Sequence, residues 1–257
     1  MNALVIIPTY EERGNLEPLV EEVLAQGDLF SVLVIDDASP DGTGELAEQI
    51  KIRHPERVEV LHRSGKLGLA SAYLLGFRWG IERGYSFILE MDADFSHKPE
   101  FLPFLLQTAV NGADVVLGSR YVRGGAVSGW SPNRLLLSYA GSSFAKRVLG
   151  LAIADLTGGF KCFRREALQS IDLDGITSTG YAFQIEVTYR CYQHGLRIQE
   201  VPIVFGERKS GRSKMSGGII LEAAGLVWRL RFEADRRAVL VQETPLAVGR
   251  GGVNGKN

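Results

Sequence analysis

Two aspartates separated by a single residue, Asp92 and Asp94, have the side chains and the spacing to hold a metal ion. They follow directly on an apolar run, residues 85–89. Because residues i and i+2 of an extended backbone point to the same side, both carboxylates can converge at the end of a buried strand. Neighbouring carboxylates repel each other unless a cation lies between them, and Mg²⁺ or Mn²⁺ prefers such oxygen ligands. The pattern alone has two interpretations: a divalent metal site whose coordination is completed by phosphate oxygens, or an Asp-x-Asp that occurs by composition alone.

A second acid pair, Asp172 and Asp174, provides an internal comparison. Gly175 follows it and no long apolar run precedes it, so this pair is predicted to form a turn. His97 lies shortly after the first pair and has two interpretations. It either supports the loop and the metal site, or it serves as a general base for a sugar-hydroxyl acceptor.

The composition narrows the class of protein. The chain has 257 residues, 45% hydrophobic and 23% charged, with a net charge of -1, which argues against bulk binding of nucleic acid. Cys162 and Cys191 lack metal-ligand spacing and are predicted to be reduced in the interior, as in a cytosolic protein. No apolar run is long enough to cross a membrane, and the N-terminus lacks the features of a signal peptide.

Apolar runs alternate with helical patterns along the first half of the chain. Strands are predicted at residues 4–8, 31–36, 58–61, 87–91, 114–118 and 198–205. Helices are predicted at residues 15–26, 42–53, 70–83, 99–110, 135–153, 182–194 and 218–232. This order predicts an α/β fold, in which helices cover both faces of a mainly parallel sheet.

Polar residues follow three of the predicted strands. Tyr10 and Glu12 follow the first, Asp37 the second and the acid pair a later one. The carboxyl ends of parallel strands share one edge of a sheet, so these residues predict a nucleotide-binding cleft. Turn formation is the other interpretation for the second strand end, with Asp37 favoured as a ligand and Asp41 as a helix cap. Glycine-rich dinucleotide and P-loop motifs are absent from the sequence.

The chain resembles the polyprenol (dolichol) phosphate mannose synthases, which are inverting family 2 glycosyltransferases with the GT-A (Rossmann-like) fold. It looks most like the actinobacterial polyprenol monophosphomannose synthases, over about residues 3–232. One departure is Ala38, where the family most often has asparagine. The resemblance rests on motifs at residues 7–12 (IPTYEE), 34–43 (VIDDASPDGT), 91–97 (MDADFSH), 118–121 (GSRY), 180–186 (GYAFQIE) and 208–215 (RKSGRSKM).

The resemblance implies a role for each site residue. The guanine and ribose of GDP-mannose would be held by Pro8, Tyr10, Glu12 and Asp37. The metal and the diphosphate would be held by Asp92 and Asp94, with Ala93 between them. Phosphates of the donor or acceptor would be contacted by Arg120, Arg208, Lys214 and, for the acceptor, Arg134. The catalytic residues would be Asp92, Asp94 and Arg120.

The chemistry of a lipid phosphate agrees with this assignment. A phosphate monoester has a second pKa of about 6, so it is mostly a dianion at neutral pH and needs no strong base. Arginines can position it, and a single in-line displacement inverts the sugar carbon. One alternative keeps the reaction but uses UDP-glucose as donor, because sequence resolves the base pocket poorly. A remote alternative is a non-catalytic module that recruits a partner to the membrane.

Three regions are predicted along the chain. Residues 1–210 form the glycosyltransferase domain, residues 211–237 a basic loop with an amphipathic helix, and residues 238–257 a disordered tail. Helices 135–153 and 218–232 each have two interpretations. They contact the membrane, or they cover the sheet or form a dimer contact. The resemblance implies a cytoplasmic protein bound at the inner face of the plasma membrane, with a membrane-anchoring partner protein left open.

Overall fold

Strands and helices alternate along the chain in a computed structural model that describes residues 1–206 and 224–232, and only the backbone of Tyr181. The strands are β1 (Ala3–Thr9), β2 (Phe30–Asp36), β3 (Val58–His62), β4 (Phe87–Glu90), β5 (Val115–Ser119), β6 (Ala126–Val127), β7 (Lys161–Arg164), β8 (Ile198–Pro202) and β9 (Val204–Phe205). The helices are α1 (Arg13–Leu24), α2 (Thr43–Arg53), α3 (Leu69–Glu82), α4 (Leu102–Val110), α5 (Pro132–Leu149), α6 (Arg165–Ser170) and α7 (Gly180–Gln193). Residues 224–232 are also helical.

The central sheet has seven strands in the order β3-β2-β1-β4-β7-β5-β8. Its neighbours pair in parallel except β7, which runs antiparallel between β4 and β5. Because β1, β2 and β4 are parallel neighbours, their carboxyl ends lie along one edge. The prediction of a mainly parallel sheet is confirmed. A small separate sheet pairs β6 with β9.

Helices cover both faces of the sheet because its strands alternate apolar side chains between them. Leu4 and Ile6 of β1 belong to the core layer that includes α3, α7 and three buried residues of the helix at 224–232. Val5 and Ile7 belong to the layer formed with α1, α2 and α4. The six residues of β1 with no or almost no exposure therefore hold the strand end, and the site beyond it, in a fixed position.

Several elements differ from the prediction, among them β6 and α6, which were not predicted. Strand β7 was not predicted, and the strand predicted at residues 198–205 is interrupted at Ile203, so that β8 joins the main sheet and β9 pairs with β6. The turn predicted at the second acid pair is confirmed, because the Gly175 amide donates to Asp172 Oδ1 at 3.0 Å. The helix predicted at residues 218–232 is helical where it is described, and residues 218–223 lie outside the described residues.

No helix within the described parts of the chain is both long enough and apolar enough to span a membrane.

Ala38 lies between β2 and α2 with a positive φ of 53°. An L-residue in this region costs about 1–2 kcal/mol, whereas asparagine tolerates it better. We therefore expect Ala38→Asn to raise the free energy of unfolding by about 0.5–1 kcal/mol, measured by urea denaturation. Ala152→Asn is the control, because Ala152 is exposed and its φ is not positive. An equal change in both variants would contradict the strain at Ala38.

Candidate active site

An open cleft with a volume of ≈ 460 Å³ lies at the carboxyl edge of β1, β2 and β4. The predicted residues that line it are Pro8, Tyr10, Glu12, Asp37, Asp92, Ala93 and Asp94. Other lining residues include Lys66, Thr157, Gly159, Thr179 and Gln184, to none of which the sequence had assigned a site role. The structure therefore brings together the three strand ends that the sequence had marked, at the edge where open α/β sheets bind ligands.

The acid pair is held by hydrogen bonds from its own loop and from α3. Asp92 Oδ1 accepts the hydroxyl of Tyr73 at 3.0 Å, and its side chain is 27% exposed. Asp94 Oδ1 accepts the amide and the hydroxyl of Ser96, at 3.0 and 2.5 Å. Burial, followed by the nearby acids, raises the pKa of Tyr73 well above its ordinary value, so the phenol stays a donor. These contacts fix both carboxylates while one of them remains open to the cleft.

His97 is buried behind this loop and binds its backbone. Its Nδ1 accepts the Asp92 amide at 3.0 Å, its ring stacks on Phe160 and it is 1% exposed. A ring nitrogen that accepts an amide hydrogen carries no proton of its own. The interaction favours the structural interpretation of His97 over that of a general base.

The acid pair suits a divalent metal ion bound together with a diphosphate. No group of three or more metal-ligating His, Cys, Asp or Glu side chains occurs in the described part of the chain. Mg²⁺ in particular is commonly bound by one or two carboxylates, with substrate phosphates and water as its other ligands. Asp92 and Asp94 match that donor set.

Asp37 organises one wall of the cleft. Its Oδ2 accepts the amides of Leu67 and Gly68, both at 3.0 Å, and its Oδ1 lies 2.9 Å from Arg63 Nη1. Two of the four amides in the glycine-containing segment 65–68 are therefore bound to Asp37. Asp37 is 6% exposed. The contact of Asp37 with the nucleoside stays a prediction.

Tyr10 and Lys66 face each other at the same wall, with Lys66 Nζ 3.6 Å from the centre of the Tyr10 ring. Glu12 immediately precedes α1, and its backbone amide donates to Thr43 Oγ1 at 3.0 Å while its Oε2 accepts a hydrogen bond from the Asn15 side-chain amide at 2.8 Å. Asp41 was predicted to cap α2, but Gly42 is at the cap position, and Asp41 instead accepts the amide of Thr43, the first residue of the helix, at 3.1 Å. These contacts tie the ends of β1 and β2 together.

Arg120 is buried and forms a two-pronged ion pair with Asp155. Its Nε and Nη2 donate to the two carboxylate oxygens at 2.7 and 2.6 Å, and its amide donates to Oδ2 at 3.0 Å. Burial alone would raise the pKa of Asp155, but the hydrogen bonds and the charge of Arg120 hold it below its ordinary value. Arg120 Nη2 also donates to Thr157 at 2.8 Å. Sequence analysis missed Asp155, because a single aspartate in a loop gives no pattern.

Arg120 lines a second cavity of ≈ 490 Å³ rather than the acid cleft itself. Apolar and aromatic residues of α5 and the preceding loop form its other walls, including Tyr121, Pro132, Leu135, Leu136 and Tyr139. Thr157, which lines the acid cleft, contacts Arg120, so one hydrogen bond joins the walls of the two cavities. The guanidinium of Arg134 lies 4.0 Å from the centre of the Trp130 ring at the start of α5. Arg208 and Lys214 lie outside the described residues.

A buried polar cluster lies where β4 meets β7. Glu90 of β4 is opposite Lys161 of β7, and neither is exposed. Lys161 Nζ donates to the main-chain oxygen of Gln184 at 3.0 Å and to its side-chain Oε1. Burial raises the pKa of Glu90 to about 7, with Lys161 and then Gln184 opposing the rise, and burial lowers the pKa of Lys161. Sequence analysis missed Lys161 because it did not predict β7.

Two solved structures with the same fold are complexes of one enzyme with UDP and a metal ion. Glucosyl-3-phosphoglycerate synthase from Mycobacterium tuberculosis, in complex with Mg²⁺ and UDP, aligns with a TM-score of 0.65 over 90% of this chain and 79% of that chain, at 18% identity. Its complex with Mn²⁺, UDP and glucosyl-3-phosphoglycerate aligns with a TM-score of 0.62 over 88% and 77%, at 19% identity. The fold is therefore that of GT-A glycosyltransferases, as predicted.

The sequence comparisons narrow this class to a family. The model described as Glycosyl transferase family 2 matches residues 4–172, and the chain belongs to this family. Polyprenol monophosphomannose synthase from Mycolicibacterium smegmatis is 48% identical over 93% of this chain and 91% of its own length. Undecaprenyl-phosphate mannosyltransferase from Micrococcus luteus is 50% identical over 89% and 93%.

Proposed function

We propose that this protein is an inverting glycosyltransferase that moves mannose from GDP-mannose to a polyprenyl monophosphate, forming polyprenyl-phosphate mannose. The observation that carries the proposal is 48–50% identity, over most of the chain, to two proteins named for this kind of product. The acid-lined cleft supports it, since Asp92 and Asp94 lie beside the wall formed by Tyr10 and Asp37. The cleft and the named relatives favour an enzyme over a non-catalytic module.

The residues of the cleft divide between the two halves of the donor. Pro8, Tyr10, Glu12 and Asp37 line the cleft and would contact the nucleoside, and Asp92 and Asp94 would hold Mg²⁺ or Mn²⁺. Such an ion would supply positive charge to offset the charge that develops on the departing diphosphate. Tyr73 and Ser96 fix the two carboxylates, so little reorganisation is needed during transfer.

The acceptor phosphate brings its own nucleophile. Its second pKa is about 6, so it is largely ionised at neutral pH and needs a cation for positioning rather than a base. Arg120 provides that cation, because it lines the apolar cavity and donates to Thr157 in the wall of the cleft. Arg134, at the start of α5, would contact the same phosphate. Arg208 and Lys214 stay predicted phosphate contacts. The lipid chain would then lie along the apolar residues of α5.

A panel of donors and acceptors tests the function. GDP-mannose and UDP-glucose are each incubated with polyprenyl phosphate, polyprenol or 3-phosphoglycerate, in the presence of Mg²⁺, Mn²⁺ or EDTA. We expect transfer from GDP-mannose to polyprenyl phosphate, and its loss in EDTA. Faster transfer from UDP-glucose would show that UDP-glucose, rather than GDP-mannose, is the donor. Transfer to polyprenol or 3-phosphoglycerate would show that the proposed acceptor is wrong.

The exposed apolar residues of α5 and of the helix at 224–232 are proposed to form a surface that rests on the membrane carrying the acceptor. Its exposed residues are Leu135, Leu136, Leu137, Tyr139, Phe144, Trp228 and Phe232, and Lys146, Arg147, Arg229 and Arg231 are exposed on the same two helices. Apolar side chains next to cations suit the boundary of an anionic bilayer. We propose a peripheral protein at the inner face of the plasma membrane, and a membrane-anchoring partner stays a prediction.

We expect Leu136→Asp to weaken binding to anionic vesicles about tenfold, because it removes an apolar contact and adds a repelled charge. Vesicle sedimentation measures the effect. Leu136 is 67% exposed, and Ile52→Asp is the matched control because Ile52 is 77% exposed on α2, away from this surface. Equal binding by both variants would contradict the assignment of the surface.

A further inference from the structure

Gln184 presents an amide donor, Nε2, at the cleft, and its interaction with Glu90 accounts for at most one of the two hydrogens on this atom. It is 2% exposed, it lines the cleft and the other hydrogen on Nε2 has no hydrogen-bond partner among the described residues. Unsatisfied buried donors are rare in native proteins and call for a partner. Gly159 leaves room in front of this atom, since an added methyl group there would lie 3.3 Å from Nε2.

Lys161 fixes the direction of the carboxamide. Its ammonium donates to the Gln184 side-chain oxygen and to the main-chain oxygen of the same residue. An ammonium has no acceptor, so it must face the oxygen of the amide rather than its nitrogen. Nε2 carries two hydrogens, and even if Glu90 attracts one of them, a second remains for a ligand.

The order of the strands places Gln184 on the sugar side of the acid pair. Asp37 and Tyr10 follow β2 and β1, on one side of β4, whereas Gly159 precedes β7 on the other side. Lys161, which holds Gln184, is the first residue of β7 and pairs with Glu90 at the end of β4. With the diphosphate at the acid pair and the nucleoside toward β1 and β2, the hexose extends toward β7.

The charges around Gln184 favour a neutral ligand group over a phosphate. Glu90 is buried beside Lys161, so the acid offsets part of the attraction of the ammonium for a dianion. A neutral amide N–H matches a sugar hydroxyl, and a site that holds a donor for a hydroxyl discriminates against analogues that lack it. We propose that Gln184 is a specificity-determining residue that donates a hydrogen bond from Nε2 to one hydroxyl of the donor hexose, an inference that rests on the proposed function.

The experiment pairs the variant Gln184→Met with GDP-mannose and with analogues that each lack one sugar hydroxyl. Methionine keeps the volume but has no donor. For the intact donor we expect kcat/KM to fall about tenfold, the effect of losing one hydrogen bond. For the analogue that lacks the partner hydroxyl, we expect wild type and variant to be equal. Each donor is compared between wild type and variant, so that differences in the intrinsic reactivity of the analogues cancel.

Two binding measurements separate failure of this inference from failure of the proposed function. The Kd of GDP should be the same for wild type and variant, whereas the Kd of GDP-mannose should rise about tenfold in the variant. Gln193→Met is the control, because Gln193 is exposed at the end of the same helix. Equal losses on every donor, or an equal loss for GDP, would overturn the role of Gln184. A wild-type protein that binds GDP-mannose but transfers nothing would instead overturn the proposed function. In that case the two Kd values would still test whether Gln184 contacts the hexose.

Discussion

Replacing Asp94 with asparagine should lower mannosyl transfer about 10³-fold while the protein stays folded, because a metal clamp contributes several kcal/mol to the transition state. Asparagine keeps an oxygen for the two hydrogen bonds from Ser96 but removes the charge. We expect the change in the free energy of unfolding to stay within about 1 kcal/mol. Transfer is measured with radiolabelled GDP-mannose, and the binding of Mn²⁺ in the presence of GDP is measured by calorimetry.

Asp174→Asn is the matched control for this variant. Asp174 belongs to the second acid pair, its side chain is 88% exposed, and it forms a surface ion pair with Arg78. We expect its transfer rate and metal binding to equal those of the wild type. If Asp94→Asn kept both its rate and its Mn²⁺ affinity, the acid pair would not be the metal site.

Arg120→Met should destabilise the protein by about 3–5 kcal/mol, because it leaves the carboxylate of Asp155 buried without its partner. The side chains of the pair are 6% and 0% exposed, so solvent screens the interaction little. Arg120→Lys should recover part of the stability, since lysine keeps the charge but not the two-pronged geometry. Urea denaturation measures each variant, together with Asp155→Asn and the double variant, to obtain the coupling energy.

The pH dependence of this pair has a definite sign. The pKa of Asp155 lies below its ordinary value in the folded protein, so the pair stabilises the fold at neutral pH and loses its effect as the pH falls through the folded-state pKa. Arg123→Met is the control, because Arg123 is an exposed neighbour in the same loop. If Arg120→Met were as stable as Arg123→Met at neutral pH, the ion pair between Arg120 and Asp155 would not stabilise the fold.

The sequence was sufficient to predict six of the seven strands of the main sheet and the position of the acid pair. Strands β1, β2 and β4 are apolar runs that end in polar residues, so both their structure and their shared edge follow from local pattern. The second acid pair was correctly separated from the first by the missing apolar run before it. Helix α5 begins at Pro132 with Ser131 as its cap, three residues before its predicted start, although a proline after a serine is a known start signal.

The remaining parts of the site depend on contacts between distant segments. Strand β7 has four residues and is placed by pairing with β4 and β5, which no local periodicity reveals. For the same reason, Lys161 and Asp155 could not be connected with Gln184 and Arg120 before the fold was known. Gln184 itself lies within a motif that the sequence had marked, but only its contact with Lys161 indicates which of its atoms faces the cleft.

The most direct measurement of the proposed reaction is an NMR spectrum of the lipid formed from GDP-mannose and polyprenyl phosphate. We expect one mannose joined to the lipid through a single phosphate, with the β configuration. That configuration follows from one in-line attack by the acceptor phosphate on the α-linked donor. An α-linked product, or no mannosylated lipid in the presence of Mg²⁺ or Mn²⁺, would contradict the proposed function.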